Sequence, residues 1–230
     1  MRPVMRPGTR LITVAHGTRY APGNAVARRV TELAGRRLGL PSVAAYVELC
    51  EPSLTEVLAT SRTPTVVVPL LLSTGHHVRH DLPTALAAAG GPVRMAGPLG
   101  PHPLLAEAQA AQLRAAGAEP GRPVVLVAAG SRDPLAGTDL AAAARLLAMA
   151  WDAPVTLTTL SGPGPRPAEV VTPDHAVSPY LLAPGHFGDR ARAESAASDC
   201  VAELLGAHPA VVELVALRAQ AVASAADAVA

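Results

Sequence analysis

Ile12-Thr-Val-Ala-His-Gly-Thr-Arg19 lines up with Val125-Leu-Val-Ala-Ala-Gly-Ser-Arg132, 113 residues further along the chain. Each stretch starts as a short apolar run and ends at Gly followed by a hydroxyl residue and Arg, the pattern of a buried strand running into a turn. A second pair, Pro69-Leu-Leu-Leu-Ser-Thr-Gly75 and Pro179-Tyr-Leu-Leu-Ala-Pro-Gly185, repeats at an offset of 110 residues. Two matches in the same order and at nearly the same spacing mark an internal duplication. Between the copies lies Gly117-Ala-Glu-Pro-Gly-Arg-Pro123, a linker by composition. Two similar α/β lobes are therefore expected, residues 1–118 and residues 122–230.

Working outward from the first strand, residues 10–15 read as a buried strand, 25–38 as a helix and 43–47 as the next strand. Ser53 followed three residues later by Glu56 spells a capping box, which opens a helix to Thr60 ahead of the apolar strand 65–70. Asp81 and Pro83 suit the start of a helix reaching Ala89, with a strand at 92–96 and a helix from Pro103 to Ala116 beyond it. Short β-rich runs alternating with helices imply a mainly parallel sheet, four-stranded in each lobe and flanked by helices.

The chain has 230 residues, half of them hydrophobic, and no apolar run approaches the roughly 20 residues of a membrane span. Its first ten residues are basic and Pro-rich without the apolar stretch of a secretory signal, so a cytoplasmic protein that avoids membranes is expected. Basic and acidic residues nearly balance at 19 and 18, and only five residues are Phe, Trp or Tyr, which disfavours nucleic acid as a partner. All 19 basic residues are arginine, excluding chemistry that needs a lysine amine, such as a Walker A loop or a Schiff base. Cys50 and Cys200, far apart and outside any Cys-x-x-Cys arrangement, read as buried free thiols. His102, His175 and His208 lie near prolines and read as solvent-facing loop residues.

Chemically the two copies are unequal. His16 in the first is replaced by Ala129 in the second, Glu48 falls opposite residues 159–161 where there is no carboxylate, and His77 falls opposite Phe187. In an open parallel sheet, ligands bind beyond the carboxyl ends of the strands, and His16, Glu48 and His77 all follow such ends. Imidazole suits Fe²⁺, Co²⁺, Ni²⁺ and Zn²⁺, and a carboxylate either completes such a site or accepts a proton.

Three motifs carry a resemblance to a known family: Ala15-His-Gly-Thr-Arg19, Tyr46-Val-Glu-Leu-Cys-Glu-Pro-Ser53, and Val68-Pro-Leu-Leu-Leu-Ser-Thr-Gly-His-His-Val-Arg-His-Asp-Leu-Pro83. In this order they resemble the sirohydrochlorin chelatases, the CbiX- and SirB-like class II chelatases, in their two-lobed long form. The resemblance implies chelatase-like lobes and insertion of a divalent metal into a tetrapyrrole, with release of two pyrrole protons. Fe²⁺ for siroheme is placed ahead of Co²⁺ for the corrin pathway, each as substrate, with no permanently bound cofactor. By the same resemblance His16 and His77 handle the metal and Glu48 draws protons away, while the adjacent His76 is a further candidate ligand. Arg19, Arg79 and His80, beside these histidines, are candidates for pairing with the peripheral carboxylates of the substrate. Arg132 survives in the lobe without the site, so Arg19 has an alternative reading as a tie for its own loop. His186 in the second lobe is a candidate substrate anchor, with that lobe forming a wall of the substrate cleft. A monomer is expected. A non-catalytic carrier or sensor of metal or tetrapyrrole on the same fold is the rival reading.

Overall fold

The computed structural model describes residues 8–75 and 77–227. In the first half, β1 (Arg10–Ala15), α1 (Ala21–Leu38), β2 (Ser42–Tyr46), α2 (Leu54–Thr60) and β3 (Thr65–Pro69) follow in order. A π-helical turn (His77–Asp81) then leads into α3 (Leu82–Ala87), β4 (Val93–Met95) and α4 (Pro103–Ala115). The second half runs β5 (Val124–Ala128), α5 (Pro134–Trp151), β6 (Val155–Thr159), α6 (Pro167–Val170), β7 (Ala176–Tyr180), α7 (His186–Glu194), β8 (Cys200–Val201) and α8 (Pro209–Asp227).

The strands form two four-stranded sheets, all parallel, in the orders β2-β1-β3-β4 and β6-β5-β7-β8. Leu11 pairs with Val66 in the first sheet and Val124 with Ala176 in the second, so equivalent residues stand 113 apart on the first strand and 110 apart on the third. The backbone thus reproduces both offsets of the sequence repeat. β3, β5 and β7 are buried along their whole length, as inner strands covered on both faces must be. Ile12, Val14, Val67, Leu58 and Leu82 form the core of the first half, and Val125, Val127, Val177, Leu160 and Leu181 that of the second.

The strands and helices lie within a few residues of their expected places. α1 starts at Ala21 rather than Ala25, because Pro22 in its first turn lacks an N–H that a helix start leaves unpaired anyway. It ends on Gly39 in the left-handed conformation, whose N–H caps the carbonyls of Arg36 and Gly35. The capping box of α2 forms as spelled, Ser53 accepting from the Glu56 N–H while the Glu56 carboxylate accepts from the Ser53 N–H. The helix expected from Asp81 instead begins with the wider π turn.

His102, His175 and His208, expected to face solvent, are instead half-buried and engaged. His102 accepts from the Leu104 N–H at 3.2 Å and His208 from the Ala210 N–H at 3.2 Å, each just ahead of the proline that starts α4 or α8. His175 Nδ1 lies 2.8 Å from the Thr172 hydroxyl. Both cysteines are free, Cys200 buried and Cys50 half-buried.

The compact units differ from the cut expected between residues 118 and 122. Among the described residues, one unit comprises 8–71, 77–99 and 212–227, and the other 72–75 and 100–211. Each sheet sits in the unit of its own half, but the closing helices are exchanged. In the second unit α4 packs on α5 and β7, where Gln109 donates to the buried Ser178 hydroxyl at 2.8 Å. In the first unit α8 pairs Glu213 with Arg37 of α1, and Arg218 donates to the Leu99 carbonyl at 3.2 Å. Among the described residues no helix is long and apolar enough to cross a membrane.

Candidate metal-handling site

His16 is the first residue beyond β1, and the chain there is locked to the segment beyond β2. The Val47 N–H donates to the Ala15 carbonyl at 2.9 Å and the Glu48 N–H to the His16 carbonyl at 3.1 Å, so the parallel ladder continues past both strand ends. Gly17 makes this possible. Its φ is +94°, and a Cβ there would collide with the Glu48 carbonyl. Asn24, buried near the start of α1, holds the same loop from behind. Its Oδ1 accepts from the Thr18 N–H at 3.2 Å, while its Nδ2 donates to the Thr18 carbonyl at 2.6 Å and to Cys50 Sγ at 3.2 Å. Asn24 belongs to no motif of the sequence, and a polar amide on the first turn of an amphipathic helix is the signal available for it.

His77 reaches the same place from β3 through the π turn. Its ring centroid lies 4.6 Å from that of His16, with the planes tilted by 37°. His16 Nδ1 is 3.3 Å from a Glu48 oxygen, and His77 Nδ1 is 2.6 Å from an Asp81 oxygen. One potential ligand atom from each of His16, Glu48 and His77 lies within 4.8 Å of the other two, close enough to share one ion. Burial lowers the His16 pKa, and the neighbouring His77 lowers it further, against the opposing pull of Glu48. At neutral pH this ring is therefore an unprotonated base, able to take a metal ion or a proton.

Beside the cluster opens a cleft of about 290 Å³ lined by Tyr46, Glu48, Thr55, His77, Asp81 and Thr84. Arg19 is exposed in the loop after β1, and Arg79 and His80 are exposed on the π turn. His186 is exposed at the first position of α7 in the second unit, its ring 5.5 Å from that of Phe187. His76 lies outside the described residues. Of the expected site residues, the structure thus brings His16, Glu48 and His77 together, with Asp81 against His77 as a partner the sequence reading took only for a helix start.

The second sheet repeats the loop geometry without the ligands. Gly130, at φ +81°, packs on the Ser161 carbonyl as Gly17 packs on that of Glu48, so Ala129 stands for His16 and Ser161 for Glu48. The Ser161 hydroxyl donates to the Ala129 carbonyl at 2.7 Å, tying the two loops where the first half has a histidine and a carboxylate.

Residues 10–116 match the CbiX family model. No curated protein sequence matches the chain. Among solved structures, SirB from Bacillus subtilis with Fe³⁺ is similar at a TM-score of 0.78 and 23% identity, over 96% of this chain and 97% of that one. The sirohydrochlorin chelatase SirB from Bacillus subtilis subspecies spizizenii in complex with cobalt has a TM-score of 0.76 and 21% identity, over 96% and 97%. CbiX, described as the terminal enzyme of siroheme biosynthesis in denitrifying bacteria, has a TM-score of 0.68 and 24% identity, over 92% and 98%. The chain therefore carries a CbiX-family lobe, residues 10–116, and as a whole has the two-lobed fold of the SirB and CbiX structures.

Proposed function

We propose that this protein is a sirohydrochlorin chelatase, which exchanges the two pyrrole protons of the macrocycle for a divalent metal ion. The observation that carries the reading is the cluster of His16, Glu48 and His77 at the carboxyl ends of parallel strands. Insertion needs two things at once, a place to hold a partly stripped cation and a base to receive protons as the ring nitrogens turn to the metal. Two imidazoles supply nitrogen donors, and the carboxylate beside His16 supplies the proton acceptor. A carrier would need the ligands alone.

The cleft of about 290 Å³ beside the cluster lies at the small end of the roughly 300–1,000 Å³ of ligand pockets, and a tetrapyrrole is larger than the ligands that such small pockets enclose. On this reading the macrocycle lies over the rim where His16 and His77 stand, and the cleft passes water, protons or the incoming ion. Arg19, exposed on the loop after β1, and Arg79 and His80, exposed on the π turn, would pair with the substrate's carboxylates, and His186, exposed on α7, is a further candidate for such pairing.

The test is anaerobic incubation of sirohydrochlorin with Fe²⁺, Co²⁺ or Ni²⁺, following macrocycle absorbance with and without protein. Imidazole and carboxylate bind Fe²⁺ and Co²⁺ alike, so the assay rather than the donor set ranks the metals. The expected result is insertion above the uncatalysed rate, reduced at least tenfold in His16→Ala and His77→Ala variants that still fold. Metal binding without any acceleration would instead favour the carrier reading.

A further inference from the structure

We infer that Asp81 is a positioning residue for His77: its carboxylate holds the ring by Nδ1, fixes one tautomer and leaves the Nε2 lone pair for the metal ion. This rests on the reading above that His77 takes the ion, and it adds a residue that reading does not use. The contact is short, 2.6 Å between Nδ1 and Oδ2. A carboxylate is acceptor-only, so in a neutral ring the shared proton sits on Nδ1, and Nε2 is then the nitrogen that carries no proton and can donate its lone pair to an ion. A metal-binding histidine held at its other nitrogen by a carboxylate has its orientation set and its basicity raised.

Two further observations separate this role from helix capping. Asp81 occupies the cap position of α3, yet its side chain makes no cap hydrogen bond there. The pair also disappears as a unit in the second half of the chain. Counting from Gly75 and Gly185, Phe187 replaces His77 and a buried Ala191 replaces Asp81, and α7 runs as an α-helix where the first half has its π turn. α7 keeps a carboxylate in its first turn, Asp189, so what the second half loses is the carboxylate at the position that faces the histidine.

The test uses the full chain with Co²⁺ as the probe and ¹⁵N-labelled histidine. In the unaltered protein His77 is expected as the Nδ1–H tautomer. Asp81→Ala should move the proton to Nε2 and raise the Co²⁺ Kd by about 10–100-fold, the usual effect of losing such a partner. Asp81→Asn keeps an oxygen that accepts the same N–H, so it should retain the tautomer and recover most of the affinity. Circular dichroism confirms that each variant is folded, and should Asp81→Ala fail to fold, the tautomer and affinity of Asp81→Asn decide alone. An Nε2–H tautomer in the unaltered protein, an unchanged Kd in Asp81→Ala, or an Asp81→Asn variant as weak as Asp81→Ala would overturn the inference. His77→Ala marks which reading has failed. If it weakens Co²⁺ binding while Asp81→Ala does not, only the Asp81 role falls; if it has no effect, the site assignment falls and takes this inference with it.

Discussion

Half-exposed, with a carboxylate on one side and a second imidazole 4.6 Å away on another, the His16 ring is pulled in opposite directions. Burial and the repulsion from His77 win, so its pKa lies below the ordinary value near 6.5. The unfolded chain then takes up this proton more readily than the folded one. Stability from this group is complete above the ordinary value and declines as the pH falls through it towards the folded value. Metal uptake follows the same direction, because a ligand must be deprotonated, so the site should stay competent into mildly acid solution. An NMR titration of the metal-free protein should place the His16 midpoint below 6.5, with His77→Ala raising it and Glu48→Gln lowering it further. A midpoint above 6.5 in the unaltered protein, or no response to His77→Ala, would contradict this balance. At this scale the sequence was legible where chemistry differed between the two copies, as at His16, Glu48 and His77. It was not legible where a residue acts on another residue. Asn24 and Asp81 work through contacts across a fold, and neither residue type announces its partner.

The same limit shows in the elements. Strand and helix periodicity is a property of local apolar pattern, and the elements fall within a few residues of their expected ranges. The π turn at His77–Asp81 has no such pattern, since it is a local widening of a helix start, and its residues read equally well as the first turn of α3. The paired loops after β1 and β2 were visible only as Gly17 and its repeat Gly130, whose shared task is to let a neighbouring carbonyl approach. That repetition supplies an internal control. Gly17→Ala and Gly130→Ala each place a Cβ at positive φ against a carbonyl, and each should cost roughly 1–3 kcal/mol of stability. Only Gly17→Ala displaces the backbone carrying His16 and Glu48, so Co²⁺ affinity should drop in that variant and hold in Gly130→Ala. Thermal melts together with Co²⁺ titration of both variants check the pair, and equal losses of affinity would show that the loop carries no special burden for the site.

Across the whole molecule the duplication was read correctly in outline, and the two sheets follow it strand for strand. What the linear repeat could not convey is which sheet each closing helix serves. α4 and α8 both begin at a His-Pro pair, His102-Pro103 and His208-Pro209, and both carry apolar faces, so nothing local assigns them to a unit. The exchange places residues late in the chain in the same compact unit as the metal cluster near its beginning. Leu214 of α8 is fully buried within the first unit, and Leu113 of α4 is fully buried within the second. Truncating either should cost about 2–5 kcal/mol, as such buried leucines do, but the loosened region should be opposite to what sequence proximity implies. In amide hydrogen exchange, Leu214→Ala should speed exchange in β1 and β3, where the loops bearing His16 and His77 begin, and weaken Co²⁺ binding through that loosening. Leu113→Ala should speed exchange in β5 and β7 and leave Co²⁺ binding near its original strength, although Leu113 lies far closer in sequence to the metal cluster. Exchange that followed the linear halves instead, with Leu113→Ala loosening β1 and β3, would mean that the closing helices are not exchanged and that the first half of the chain supports its own site.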